Sequence, residues 1–270
     1  MKKTNEVLNK NNESSFLEKN LNKGLVSIIM PSFNSGSFIE ATVNTVLKQT
    51  FINWELIIID DCSTDNSLKV IEKMVENDKR IKLIPLKVNG GTAKARNEGL
   101  KEASGQYIVF LDSDDLWDEN FLESQIDFMH DNGPIITAGY RIKFQKNMIV
   151  FSVPKIRTYK QLLKQNTMSC LTTMYDRNII GDVYFEEDLV KAEDFAFWLN
   201  ILRRGYVTKG NQEILATYII HENSKSFKKS KLIKPMFHIY RRNQGYNWFK
   251  SLWYVLVWGI NGLKKYRKIR

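Results

Sequence analysis

The sequence predicts an α/β fold with a mostly parallel central sheet flanked by helices. Between residues 25 and 111, four short apolar segments rich in Ile and Val alternate with three segments that have the apolar spacing of helices. Strands that are apolar on both faces need cover on both faces, and helical crossovers join parallel strands. Polar or acidic residues follow three of the four strands, at the edge where such sheets bind ligands.

The elements of this first half follow in a regular order. The predicted strands are residues 25–30, 54–59, 81–85 and 106–111. The predicted helices are residues 38–48, with Ser37 as N-cap, 67–77 and 92–103.

The second half is less regular. It predicts strands at 135–141, 148–153 and 213–220 and helices at 159–164 and 194–203. No linker rich in Pro, Gly or Ser divides the chain, and no repeat is visible. The sequence therefore predicts a flexible leader at 1–23, one domain at 24–222 and a basic, aromatic helical tail at 223–270.

Composition excludes several classes of protein. The chain has 270 residues, of which 43% are hydrophobic and 26% charged, as in soluble globular proteins. Cys62 and Cys170 are its two cysteines, too few for a disulfide framework and compatible with a reducing cytosol. No Cys or His cluster has the spacing of a structural zinc site.

The net charge of +10 is concentrated at the C-terminus. Residues 221–270 contain thirteen Lys or Arg and one acid, Glu222, so this segment carries +12 and the other 220 residues carry −2. Such a segment favours a polyanionic partner, either nucleic acid or anionic lipid.

Within this tail, residues 248–263 favour lipid. The segment combines three Trp and one Tyr with aliphatic residues, has Lys250 as its one charge, and precedes five Lys or Arg. It is short for a membrane span, but aromatic rings beside a basic cluster suit the membrane interface. The alternative is a helix packed on the domain. We expect a cytoplasmic protein, peripheral at the inner face of the bacterial plasma membrane.

A run of acids, Asp112-Ser113-Asp114-Asp115, follows the fourth strand. Three carboxylates so close repel one another unless a cation joins them, and Mg²⁺ or Mn²⁺ takes oxygen ligands and bridges to phosphates. The alternative is an acidic turn that caps a helix.

Two further segments end at the same predicted edge. Asp61 follows the second strand, where its carboxylate could accept the imide N–H of uracil or thymine. The alternative is that Asp60, Ser63 and Asp65 build the turn and cap the next helix. After the third strand, Gly90 and Gly91 allow a close backbone approach to a ligand, and Lys94 and Arg96 add positive charge; the alternative is a plain connection.

Two late residues are further candidates. Asp194, after Glu193, opens a predicted helix whose dipole would keep its carboxylate ionised and available as a general base; the alternative is an N-cap. His221 could bind metal or phosphate, or be a surface histidine.

The order of these motifs resembles the family 2 glycosyltransferases. It runs from LVSIIMPSFNSGSFIEATVNTVLKQT through WELIIIDDCSTDNS, NGGTAKARNEG and GQYIVFLDSDD to EDFAFWLNILRRG. The resemblance covers roughly residues 25–220 and is greatest to bacterial members that build surface polysaccharides. It implies the GT-A (Rossmann-like) fold, a nucleotide-sugar donor and a divalent cation, Mn²⁺ or Mg²⁺.

The resemblance also implies roles at the nucleotide. Pro31, Phe33 and Asn34 match a P-x-Y-N segment that holds the base, with Phe33 in place of the usual Tyr. Asp61 would accept a hydrogen bond from uracil. Lys94 and Arg96 would support the base and the diphosphate.

The acidic run matches the family's D-x-D pair. Asp112 would contact ribose or metal, Asp114 would be the main metal ligand, and Asp115 would assist. Ser113, between the pair, is assigned to the nucleotide-sugar site.

The catalytic base and a further ligand complete the implied site. Asp194 matches the base, with Glu193 beside it at the donor. His221 falls where relatives carry a basic residue after a Tyr-Arg pair, and is assigned to the metal; here Tyr218 is followed by Ile219, so the Arg is missing.

The resemblance implies inverting transfer of one sugar, a hexose or N-acetylhexosamine, from a nucleotide-sugar, expected to be a UDP-sugar, to an acceptor hydroxyl on a glycan or lipid-linked glycan. The Q-x-x-R-W motif of processive synthases is missing from the sequence. Two other classes compete: a sugar nucleotidyltransferase, whose Gly-rich loop after the first strand is missing, and a non-enzymatic polyanion-binding protein. Acids at the strand ends oppose the latter, so no nucleic-acid partner is expected.

Overall fold

The fold was analysed in a computed structural model, which describes residues 22–189, 191–221 and 232–267. Its strands are β1 (Asn22–Ser32), β2 (Trp54–Asp60), β3 (Ile81–Pro85), β4 (Gly105–Phe110), β5 (Leu116–Trp117), β6 (Ile135–Phe144), β7 (Asn147–Phe151), β8 (Ile156–Arg157), β9 (Thr173–Asp176) and β10 (Thr208–Ile220).

The α-helices are α1 (Ile39–Leu47), α2 (Ser67–Asn77), α3 (Gly91–Glu102), α4 (Phe121–Asn132), α5 (Tyr159–Leu162), α6 (Arg177–Ile180), α7 (Glu193–Leu202), α8 (Ile233–His238) and α9 (Trp248–Arg267). A π-helix, Ile239–Asn243, continues α8.

The strands form one sheet in the order β3-β2-β1-β4-β9-β6-β10-β5, with β7 paired to β6 and β8 to β10. The neighbours β3, β2, β1 and β4 are parallel, as are β6 and β10. β9 runs antiparallel between β4 and β6 and joins the two parallel parts. Because Ser32 pairs with Asp60, β1 and β2 end side by side at one edge.

Two hydrophobic clusters lie on opposite faces of the sheet. Successive strand residues point to opposite faces, so Ile28 and Ile29 belong to different clusters. One cluster includes side chains of α1, α2 and α4, and the other includes side chains of α3, α7 and the C-terminal helices. All seven residues of β2 are buried, as expected of a strand covered on both faces.

The predicted elements of the first half are confirmed to within about two residues in most cases, although β1 begins three residues earlier and ends two later. The Ser37 N-cap is wrong. The helix begins at Ile39, Phe38 occupies the cap position, and no side chain caps it. Instead, the carbonyl of Ser35 accepts from the N–H groups of Phe38 and Ile39, so a backbone turn fills this role.

Five elements after β4 were missing from the prediction: β5, α4, β8, β9 and α6. α4 has buried residues with helical spacing, Phe121, Leu122, Gln125, Ile126 and Met129, so its signal was present. β9 is short and begins with a polar Thr, and the sequence pattern does not mark it as a strand.

The C-terminal helices pack on the domain. Met236, Ile239, Tyr240 and Val255 are buried in the cluster that contains α7. Within the described residues, no helix has the length and apolar character needed to cross a membrane. The predicted leader at 1–23 lies largely outside the described residues, as do residues 222–231 and 268–270 of the predicted tail.

Candidate active site

The predicted site residues gather at one edge of the sheet, where β1, β2 and β4 end. Two short turns form its floor. Asn34 has a positive φ of 50° and Cys62 one of 64°. Such values are uncommon outside glycine, and they concentrate at functional sites.

Asn34 links the ends of β1 and β2. Its Oδ1 accepts from the N–H of Thr64 at 2.8 Å, and its own N–H donates to Ser63 Oγ at 2.9 Å. Pro31 is buried within β1, whereas Phe33, directly after the end of β1, is 50% exposed. The exposed ring is therefore available to stack on a ligand.

Asp61 fixes the glycine loop that precedes α3. Its Oδ1 accepts from Gly90 N at 2.7 Å and its Oδ2 from Gly91 N at 2.8 Å, while Asn89 Nδ2 donates to its carbonyl at 2.9 Å. Asp61 is 4% exposed, and each of its carboxylate oxygens already accepts one of these hydrogen bonds. Its role toward uracil stays a prediction.

Lys94 and Arg96 lie on α3 in different surroundings. Lys94 is half-buried and packs against Gly90, where an added Cβ would lie 2.3 Å from Lys94 Cδ. The Arg96 side chain is only 4% exposed and donates to Asp112 Oδ1 at 2.8 Å and to Glu193 Oε1 at 3.2 Å. Arg96 therefore acts first as a bridge between two carboxylates.

Apolar rings hold this bridge in place. The guanidinium carbon of Arg96 lies 5.3 Å from the ring centre of Phe185 and 5.9 Å from that of Phe110. Burial beside aromatic rings suits Arg, because its planar guanidinium can stack on a ring while it forms ion pairs with carboxylates.

The acidic run forms the turn after β4. Asp115 is buried, and its Oδ1 accepts from Ile219 N at 2.9 Å, which ties the turn to β10. The carbonyl of Ser113 accepts from Thr42 Oγ1 at 2.9 Å. Ser113 thus anchors the turn through its backbone, and the carboxylates of Asp112 and Asp114 are partly exposed.

Two carboxylates of this turn have raised pKa values. Burial, with smaller contributions from Asp112 and Asp114, raises the pKa of Asp115 well above its usual range. Burial and then Asp112 also raise the pKa of Asp114. Repulsion between Asp112 and Asp114 is what a bound cation would relieve.

His221 stands beside Asp114 at the end of β10. Its Nε2 lies 3.7 Å from Asp114 Oδ2, and its ring centre lies 4.3 Å from that of Phe38. In the part of the chain that the structure describes, no group of three or more His, Cys, Asp or Glu side chains is arranged to hold a metal. Asp112, Asp114 and His221 have donor atoms that fit Mg²⁺ or Mn²⁺, and their assignment stays a prediction.

Asp194 lies in the first turn of α7, whose N-cap residue, Ala192, has a positive φ of 59°. Its Oδ1 accepts from Phe195 N at 2.7 Å, and its Oδ2 is 3.4 Å from Asn166 Nδ2. Burial first, and then the charge of Glu193, raise the pKa of Asp194 to about 6.

The direction of this shift is opposite to the one that the helix dipole alone would produce. The dipole would lower the pKa, but loss of water around the carboxylate outweighs it here. A carboxylate that releases its proton near pH 6 is a stronger base than an ordinary one and is still ionised at neutral pH.

Sequence reasoning missed three neighbours of the site. Cys170 is buried close enough to Arg96, Asp194 and Asp112 for their charges to affect its pKa, which burial raises well above the usual range. Asn166 contacts Asp194, and Phe38 contacts His221. Asn166 and Cys170 come from a segment with no recognisable motif, and Phe38 opens the predicted helix 38–48, where its spacing indicated only a core residue.

The fold and this edge define the class of protein. The structure is similar to S. aureus TarS in complex with UDP-GlcNAc, with a TM-score of 0.67 and 25% identity over 79% of this chain and 65% of that chain. It is also similar to the mannosyltransferase PcManGT from Pyrobaculum calidifontis, solved with GDP-Man and Mn²⁺, with a TM-score of 0.61 and 17% identity over 92% and 76% of the two chains. This is the GT-A fold.

Residues 27–181 match Glycosyl transferase family 2. The chain belongs to this family of inverting glycosyltransferases. It is 36% identical, over 90% of its length and 98% of the relative's, to the putative teichuronic acid biosynthesis glycosyltransferase TuaG of Bacillus subtilis. It is 39% identical, over 90% and 95%, to WfgD of Escherichia coli, described as a UDP-Glc:alpha-D-GlcNAc-diphosphoundecaprenol beta-1,3-glucosyltransferase. Membership decides against the nucleotidyltransferase and non-enzymatic alternatives.

Proposed function

We propose that the protein transfers a single hexose or N-acetylhexosamine from a UDP-sugar to a hydroxyl of a lipid-diphosphate-linked glycan, at the cytoplasmic membrane face, during surface-polysaccharide synthesis. The donor and acceptor classes follow from WfgD, whose name specifies UDP-Glc and a diphosphoundecaprenol acceptor, and from TarS, which binds UDP-GlcNAc.

The observation that carries the proposal is the bridge from the acidic turn to the base helix. Arg96 connects Asp112, after β4, with Glu193, next to Asp194. A donor held at Asp112 would therefore have its sugar directed toward Asp194. This is the order an inverting transfer needs, with the leaving group on one side of the sugar and the base on the other.

The reaction follows from these positions. The acceptor oxygen attacks C1 of the sugar, the bond from C1 to the diphosphate oxygen breaks, and the bonding pair leaves with UDP. Asp194 accepts the proton of the acceptor hydroxyl as the new bond forms. Attack from the face opposite UDP inverts C1, so an α-linked donor gives a β-linked product.

Metal binding is part of the proposal. Asp114 and Asp112 would hold Mg²⁺ or Mn²⁺, with His221 beside Asp114 as a further ligand. When bound, the cation neutralises charge on the diphosphate leaving group. Pro31, Phe33, Asn34 and Asp61 would hold the base, and Lys94 would face the diphosphate.

The test is a transfer assay with UDP-Glc or UDP-GlcNAc and a GlcNAc-diphospho-lipid acceptor, comparing the wild type with Asp194→Asn and Asp114→Asn. We expect Asp194→Asn to lose transfer by about 10²–10⁴-fold while still binding UDP-sugar in calorimetry. Asp114→Asn should weaken binding in Mn²⁺ but not in EDTA. Wild-type transfer by Asp194→Asn would refute the base assignment, and binding of GDP-sugars alone would refute the donor.

A further inference from the structure

Helix α9 exposes a continuous apolar stripe. The apolar stripe consists of five side chains that are between 38% and 78% exposed: Phe249, Leu252, Trp253, Leu256 and Ile260. At 100° per residue they fall within an arc of about 100° and extend along about 17 Å of helix. Exposed apolar groups gathered on one face mark an interaction surface more often than scattered ones do.

The opposite face of α9 is fixed to the domain. Ser251 and Val255 are buried, and the Tyr254 ring stacks on those of Tyr240 and Tyr246, each with 5.3 Å between ring centres. Near the other end, Asn261 Nδ2 donates to Lys164 O at 3.0 Å. The stripe is therefore presented by a helix that the domain holds in one orientation.

This attachment leads to the base helix. Tyr240 is fully buried, its hydroxyl donates to Leu163 O at 2.7 Å, and its ring meets that of Phe195 edge-on at 6.1 Å. Phe195 directly follows Asp194 in α7. The stripe and the proposed catalytic base thus belong to one packed unit.

The positive charge of the C-terminal segment favours a bilayer over a second copy of the chain as the partner of the apolar stripe. Residues 223–270 contain thirteen Lys or Arg and no Asp or Glu. Lys234, Arg241, Arg242 and Lys250 are exposed near or on α9. A second copy of the chain would bring like charges together, whereas an anionic bilayer is complementary to them.

The shape of α9 also suits a bilayer surface. The helix does not qualify as a membrane span, and its exposed face combines Trp and Phe with aliphatic side chains beside basic ones. Helices of this kind lie in the plane of the interface with the apolar face among the acyl chains. Trp253 would lie at headgroup level, where indole rings concentrate.

We propose that the apolar stripe of α9 lies in the surface of an anionic bilayer and fixes the orientation of the catalytic edge toward the membrane. The proposal builds on the proposed function, because an acceptor anchored in lipid is reached only from that surface. It is specific about which face inserts, and it makes α9 a rigid part of the enzyme rather than a loose tether.

The test is sedimentation of the full chain with vesicles of phosphatidylcholine and phosphatidylglycerol. We expect binding by the wild type and a loss of about tenfold or more for Phe249→Ser and for Trp253→Ser. Met148→Ser and Val150→Ser, which remove exposed apolar side chains from β7, are matched controls that should bind as the wild type does. Phosphatidylcholine alone should bind more weakly.

Two further measurements separate the possible failures. Thermal unfolding of each variant checks that the fold is unchanged. Transfer to a water-soluble acceptor with a short lipid should proceed at the wild-type rate in the variants of the apolar stripe. Vesicle binding that survives Phe249→Ser and Trp253→Ser overturns the proposal, as does a dimer that these variants dissociate. If neither the wild type nor any variant transfers sugar, the proposed function is wrong. Vesicle binding still tests whether the apolar stripe contacts a bilayer.

Discussion

The guanidinium of Arg96 and the carboxylate of Glu193 form an ion pair of 3.2 Å between helix α3 and helix α7. The same guanidinium holds Asp112 after β4. Three elements that are distant in sequence are therefore locked together at one charged group. The distance between the acidic turn and Asp194 depends on this lock, which links the stability of the site to its chemistry.

Replacing Arg96 with Met should destabilise the protein by about 2–4 kcal/mol. Loss of the guanidinium leaves Glu193 and Asp112 without their counter-charge. Because Asp112 is partly exposed, the loss in free energy of unfolding is smaller than for a fully buried ion pair. Urea unfolding measures it. Arg96→Lys keeps the charge but not the two-sided contact, so it should recover part of the stability.

Arg96→Met should also move a pH profile. The charge of Arg96 lowers the pKa of Asp194, against the larger effect of burial. Without it, the acidic limb of the transfer rate should shift to higher pH. A role confined to folding would leave the limb where it is in the wild type.

The pH dependence of wild-type transfer should follow Asp194. With a pKa of about 6, the base is ionised at pH 7 and protonated at pH 5, so kcat/KM should fall about tenfold per unit well below pH 6. Initial rates with saturating donor and with acceptor well below its KM, between pH 5 and 8, measure this. Full activity retained at pH 5 would contradict it.

Asp194→Asn should raise stability at neutral pH. The folded-state pKa of about 6 exceeds the ordinary value of 3.8 for an Asp, so the native protein binds more protons than the unfolded chain, and stability falls as pH rises between these values. Removing the charge removes that fall. The gain in melting temperature should grow from about pH 4 to pH 6 and stay constant above. Asp131→Asn, on an exposed carboxylate of α4, serves as control.

The first half of the fold was predictable because its strands are mostly apolar and are separated by turn residues and by segments of helical character. The edge of the sheet could be predicted for the same reason, since parallel strands with helical crossovers end together. β9 could not be found, because a short strand beginning at Thr173 gains its stability from β4 and β6 on either side. Such pairing is a tertiary property.

The sequence predicted which residues belong to the site but not which of them contact one another. Asp112, Asp194 and Arg96 were identified from motifs, yet no motif indicates that Arg96 joins Asp112 to Glu193 or that burial raises the pKa of Asp194. Both depend on side chains from α3, β4 and α7 meeting in space. Asn166 and Cys170 were missed for the same reason.

Packing of α3 on the sheet provides a last prediction that does not involve charge. At Gly99 an added Cβ would lie 2.5 Å from Ile29 Cγ2 and 2.7 Å from Ile59 Cδ1, both in buried strands. Gly99→Ala should therefore force α3 away from β1 and β2 and destabilise the protein by about 1–3 kcal/mol, despite the better helix propensity of Ala.

The matched control is Gly259→Ala in α9, where an added Cβ meets nothing within 4 Å. At this position only the higher helix propensity of Ala changes, and the free energy of unfolding should rise by about 0.5–1 kcal/mol. Urea unfolding of both variants measures the difference. Equal effects at the two positions would mean that α3 does not rest on Ile29 and Ile59. In the expected case, Gly99→Ala should also lower transfer, because Arg96 lies one turn away on the displaced helix.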